Sequence, residues 1–309
     1  MTADPAPIEN RPLTPLAALA TVALNVAFGA NPVAIKLALP GFGPLGMASI
    51  RFAAGAAVIG VVALATGHRL VISRRQAGQL LIISVFFTAQ IGLFYFGLAK
   101  SLASRATLLA SLQPFLVLLL AHFFLPGERI TPRKLGGIAL GFAGVSVVLI
   151  GGASLSADVR LGDLILLAAI ALWSGTTIYS KRIIGAFDEF AFAMYPIAFS
   201  APLLAVAAWL WDPPAIGAFD LAVVGAILYQ ILVTASLGFV AWNFLFKRHG
   251  AVGLQSFLFL QPLAGVLLGG LVLGERVASG PFFVALPLVA AGIALVNLEV
   301  FRNFGRKVR

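Results

Sequence analysis

Two phrases hold much of the polar chemistry of this sequence. One reads SLQPFLVLLLAHFFLPGER from Ser111, the other FLQPLAGVLLGGLVLGER from Phe259. Each sets Gln-Pro at the head of an apolar run and ends it on Gly-Glu-Arg. Gln113 and Pro114 go with Glu128, and Gln261 and Pro262 with Glu275, one residue out of strict register. A proline in an apolar helix has no N–H to give and frees a carbonyl one turn back. Such a carbonyl is tolerated where protein or a cavity satisfies it. Gln113 and Gln261 are therefore candidates for an interhelical bond or a solute contact, and Pro114 and Pro262 for helix breaks that are fixed or gating. Glu128 and Glu275 stand beside arginines, as a helix-end arrangement or a pathway mouth requires. Lys36 and Lys181 each end the first apolar run of a half. Such lysines snorkel to headgroups, set topology or draw a carboxylate to a pathway mouth.

Other chemistry is missing. No Ser-Lys, paired Asp or His-Glu-x-x-His constellation supports an intramembrane enzyme, and no P-loop supports an ATP-driven pump. With no cysteine there is no disulfide and no thiolate metal site. No catalytic residue, metal ligand set or cofactor is expected. The 11 acidic residues fall at run ends or in loops, so no mid-span carboxylate relay is expected. His122 is a lone histidine near a run end, which favours packing over proton transfer.

The elements that position these groups are set by composition. Hydrophobic residues make up 61% and charged residues 10%, against about 25% charged in soluble domains. The apolar runs are each of bilayer-spanning length, and backbone satisfaction in lipid requires helix. The runs segment into ten spans, about 14–35, 44–66, 77–97, 103–124, 134–151, 162–180, 189–210, 219–244, 251–272 and 281–300. The formal charge of +10 sits at run ends and in the tail, not on one polar face, which argues against a nucleic-acid partner. With the N-terminus cytoplasmic, 15 of the 21 basic residues lie inside and six, Arg51 among them, outside. The positive-inside rule then places both termini in the cytoplasm.

The repeated phrase divides the chain. Residues 1–13 form an N-terminal tail, 14–151 a first five-helix repeat, 152–161 a linker, 162–300 a second repeat and 301–309 a basic tail. Five is odd, so the second copy enters the membrane from the opposite side. Inverted repeats of this kind give secondary transporters two near-equivalent conformations. Upstream, Phe28-Gly29 with Lys36 parallels Trp173-Ser174 with Lys181 at the same spacing.

These features together resemble the EamA-type members of the drug/metabolite transporter (DMT) superfamily over nearly the whole chain. The opening pattern departs from the family in having Phe at 28 and Ser at 174. The resemblance implies an inner-membrane permease, often an exporter of amino acids, metabolites or small drugs. It also implies a basket of helices around a central cavity, with the fifth and tenth spans standing aside or packing between subunits, which leaves room for a homodimer.

Independently of that family, the polar and aromatic residues deep in spans are candidates for a pathway. The selection is Phe28, Asn31, Gln90, Tyr95, Gln113, Trp173, Tyr179, Gln230, Trp242, Asn243 and Gln261. Asn25, His122, Tyr195, Tyr229 and Gln255 have the same character. Amides with rings suit a neutral or zwitterionic small molecule, whereas a dicarboxylate or sugar phosphate calls for buried cations. The expected function is secondary export of small metabolites such as amino acids by alternating access, with membrane lipid as the other partner. A lipid flippase, or a scaffold or sensor that transports nothing, is the alternative.

Overall fold

The computed structural model describes residues 14–296, apart from 69, 125–129, 152–155, 213–216, 218, 256, 259 and 276–279. Glu128 lies outside the described residues, as do the two tails and most of the linker. Everything regular among the described residues is helical.

The first three spans are α1 (Pro15–Ala38), α2 (Pro44–Ala65) and α3 (Arg74–Lys100). Their starts are written in the sequence. Thr14 accepts from the N–H of Ala17 and Pro15 follows it; Pro44 opens α2; Ser73 and Gln76 form a reciprocal capping box on α3. The third and fourth spans nearly touch, separated by Ser101 and Leu102. The fourth is two pieces, α4 (Ala103–Ala110) and α5 (Gln113–Phe124), joined by a turn at Ser111 and Leu112. Pro114 is the second residue of α5, where a missing N–H costs nothing. α6 (Pro132–Gly151) completes the first half.

The second half repeats the order. α7 (Ala157–Ile183) is capped by Ser156 and α8 (Glu189–Trp211) by Asp188. The eighth span comprises α9 (Leu221–Tyr229), a π-helical segment Gln230–Leu237, and α10 (Gly238–Gln255). α11 (Leu260–Leu273) and α12 (Gly280–Val296) follow. The sequence reading ended the eighth span near 244 and began the ninth at 251. Instead α10 continues to Gln255, and the break falls immediately before Gln261-Pro262. Pro262, like Pro114, thus stands in the first turn of its helix rather than bending one in mid-course.

Seven helical stretches among the described residues, with α4 and α5 (Ala103–Phe124) counted as one and Leu221–Leu245 as another, are long and apolar enough to cross a membrane; α11 and α12 are apolar but shorter. Helix pairing is symmetric between the halves. α2 packs on α8, α6 on α12 and α4 on α11, while α3 with α7 is answered by α1 with the eighth span, and α5 with α7 by α11 with α1. Two crossings depend on absent side chains. A Cβ on Gly97 would lie 2.9 Å from the carbonyl of Gly162, and one on Gly137 2.7 Å from that of Gly292. Bare glycine lets α3 approach α7, and α6 approach α12, backbone to backbone.

Candidate functional site

A cavity of about 400 Å³ lies between the two halves. Its wall on α7 is a helical stripe of Trp173, Thr177 and Ser180, continued by Ile184 just past the helix, with Thr176 and Lys181 beside it. α3 contributes a similar stripe of Ile83, Phe87, Gln90, Ile91, Phe94 and Tyr95. Among the described residues the lining reaches the ends of helices on one side only, at Lys181 of α7 and Ile184 just past it, Phe192 of α8 and Leu258 before α11. No lining residue comes from the opposite connections at 39–43, 101–102 or 211–221 among the described residues.

That opposite end is shut by polar contacts. Arg105 donates through Nε to Asp163 at 2.9 Å and through a terminal nitrogen to the same oxygen, while Ser101 Oγ donates to the other carboxylate oxygen at 2.6 Å. Both members of the ion pair are buried. Sequence reading put Asp163 at a helix end; α7 begins at Ala157, so this carboxylate lies almost two turns inside. Glu275 accepts from the N–H groups of Ala103 (2.7 Å) and Ser104 (2.9 Å), capping α4 from the other half of the chain. Asp212 does the same for α2 through Leu45 and Gly46. Lys36 donates to the carbonyl of Ala99 at 3.2 Å and does not line the cavity.

Of the residues chosen from sequence, Phe28, Asn31, Gln90, Tyr95, Gln113, Trp173, Trp242, Asn243, Gln261, Pro114, Pro262 and Lys181 all line the cavity. The rings of Phe28 and Trp242 meet edge to face at 6.0 Å. Gln113 donates to Thr177 Oγ1 at 3.2 Å, and Gln261 to Asn25 Oδ1 at 2.9 Å. Each Gln therefore ties the broken span of its own half to the first span of the other while facing the cavity.

Besides Lys36 and Glu275 at the shut end, two residues chosen for the pathway lie elsewhere. Tyr179 packs in a separate apolar cluster with Ile183 and Phe187, because it falls off the α7 stripe. Gln230 is fully buried behind the wall, accepting from Tyr95 Oη at 2.9 Å and donating to the carbonyl of Ala34 at 3.3 Å.

The residue the sequence reading missed is Arg51. It was counted with the outer basic groups, yet it is 4% exposed and lines the cavity. One terminal nitrogen donates to Tyr95 Oη at 2.6 Å and the other to Thr234 Oγ1 at 3.0 Å. Thr234 belongs to the π segment, whose loosened turn lets Ser236 bond back to the carbonyl of Ile231 at 2.6 Å. A basic residue seven positions inside an apolar run was the available signal.

The sequence profile of the EamA-like transporter family matches twice, over residues 15–150 and 160–298. The chain is 28% identical over 285 residues to a protein of Escherichia coli K12 named "Probable amino-acid metabolite efflux pump", covering 87% of this chain and 90% of that one. It is 27% identical over 285 residues to a "Probable terminal-alkyne amino-acid exporter" of Streptantibioticus cattleyicolor, covering 89% and 90%. It is 30% identical over 211 residues to the "Aromatic amino acid exporter YddG" of Ancylobacter novellus, covering 66% and 71%. A solved crystal structure superposes with a TM-score of 0.70 at 22% identity, over 93% of this chain and 99% of that one, which establishes the shared fold. The chain is a multi-pass membrane protein and belongs to the EamA-like transporter family.

Proposed function

We propose that the chain exports small, amino-acid-like metabolites by alternating access, as two inverted five-helix repeats whose halves rock about the central cavity. The observation that carries this reading is the one-ended cavity between the halves, walled by matched Gln-Pro elements. The repeats are 14–151 and 162–300, linked through 152–161, with both termini in the cytoplasm of a bacterial inner membrane. In that orientation the cavity faces the cytoplasm and the Arg105–Asp163 end faces outward, the arrangement an exporter needs to load. Relatives named for amino-acid efflux support the substrate class. The volume fits a small solute, being near the lower end of ligand pockets. Trp242 with Phe28 offers ring contacts, and Asn31, Gln113, Asn243 and Gln261 offer hydrogen bonds to an overall neutral molecule.

The test is counterflow of labelled leucine and phenylalanine into liposomes holding the purified chain, beside liposomes carrying a fluorescent phospholipid. Saturable amino-acid counterflow with no lipid movement is expected. Lipid crossing between leaflets without counterflow of either amino acid would overturn the reading in favour of a flippase.

A further inference from the structure

We propose that Arg51 is the carboxylate anchor of the transport site, with the amide oxygen of Gln90 receiving an N–H of the same solute. The proposal rests on the cavity being the transport site and deepens that reading by naming the group recognised there.

Arg51 lies seven residues past the start of α2, about 10 Å along the helix. Its two terminal nitrogens meet only neutral oxygens, and both acceptors are held in place from behind. Tyr95 donates onward to Gln230, and the hydroxyl of Thr234 is within bonding distance of Asn31 Oδ1 (3.2 Å) and the carbonyl of Gln230 (3.0 Å). The third nitrogen, Nε, is buried without a partner. None of the described ion pairs includes Arg51. Asp158 pairs with Lys100, Asp163 with Arg105 and Asp188 with His68. Asp212, Asp220 and Glu275 accept from backbone N–H groups, and Glu189 stands at the far end of α8.

A guanidinium inside the membrane without a counter-charge is costly. Here its position is fixed by two neutral hydrogen bonds, and an unused N–H remains on a residue that lines the cavity. That N–H and the neighbouring terminal one form the fork that grips a carboxylate in two parallel bonds. Among the described residues the charged groups lining the cavity are Arg51 and Lys181, and no carboxylate is with them. A solute anion therefore meets favourable charge, whereas a solute cation meets none.

Gln90 supplies the complement. It is 4% exposed, lines the same cavity and leaves its side-chain oxygen buried without a donor. One unmatched donor and one unmatched acceptor fit a solute bearing a carboxylate and an N–H, and Phe87, Ile91 and Phe94 give its apolar part a wall. Since the N–H meets a dipole and the carboxylate a full charge, removing the carboxylate costs more affinity than removing the amine.

The experiment uses the full chain in liposomes and competes labelled phenylalanine counterflow with phenylalanine, phenylalaninamide, phenethylamine and 3-phenylpropionate. Charge-assisted bonds of this kind convert to about 10- to 100-fold in affinity. Phenylalaninamide and phenethylamine should compete that much more weakly than phenylalanine, and 3-phenylpropionate only several-fold more weakly. Arg51→Gln should bring the phenylalanine-to-amide ratio close to one, with Arg51→Lys between. A purely structural Arg51 would weaken all four competitors together at an unchanged ratio, which would overturn the proposal. Should a variant melt early in detergent, the wild-type ratio decides alone. Equal competition by phenylalanine and its amide, with counterflow intact, would sink this proposal and spare the export reading. Counterflow of neither leucine nor phenylalanine would sink both.

Discussion

Arg105 and Arg51 are both buried inside the helix bundle, yet they are furnished in opposite ways. Arg105 closes on Asp163, whose second oxygen is taken by Ser101, so the group is complete within the protein. Arg51 rests on a phenol and a hydroxyl and keeps one nitrogen without an acceptor. The first belongs to the shut end of the molecule and the second to the cavity wall. A charge whose partner is built in serves to hold two helices together. A charge held only by neutral groups has room for a partner that comes and goes.

The sharpest way to break this contrast is to remove the partner that is built in. Asp163→Leu takes from the buried Arg105 guanidinium the carboxylate it grips through two nitrogens and should cost about 3–5 kcal/mol, with most of the loss recovered in the Arg105→Met, Asp163→Leu double variant. Melting in detergent across the four-member cycle measures this. Glu275→Gln comes next. It leaves one amide oxygen to accept from one of the two N–H groups at the start of α4 and turns an NH2 donor towards the other, and about 1–3 kcal/mol is expected, read from the same melting curves. Arg51→Met strands no carboxylate, so its stability cost should stay within about 1 kcal/mol while transport falls heavily. A stability loss as large as that of Asp163→Leu would erase the distinction. Tyr95→Phe, the mildest change, removes one acceptor from Arg51 and should weaken phenylalanine competition by about fivefold with little change in melting.

Much of the fold could be read directly. The apolar runs marked the helices, whose exact starts at caps such as Thr14, Ser73 and Asp188 the structure then supplied. The duplicated Gln-Pro phrase marked elements that the fold places at matching positions on the cavity wall. What sequence missed has physical causes. Tyr179 was chosen by residue type, but Trp173, Thr177, Ser180 and Ile184 define a stripe that turns it to another face. Gln230 was recognised as buried and polar, although one sequence does not distinguish the lining of a wall from the layer behind it. The π segment beginning there has no compositional mark. Arg51 was obscured by summing charges per side of the membrane, which treats an arginine inside a span as though it belonged to the adjoining loop. Its depth in the run was the better clue.

The measurement that bears most directly on the central claim, a cavity open at one end and shut at the other, uses the absence of native cysteine. Ala110→Cys places a single thiol on the cavity wall at the broken fourth span. A membrane-impermeant thiol reagent is then offered to intact cells and to inverted membrane vesicles. Labelling from the cytoplasmic side at rest, with labelling from outside appearing only when transported phenylalanine is supplied, is the expected result. Labelling from outside alone at rest, or equally from both sides, would contradict it.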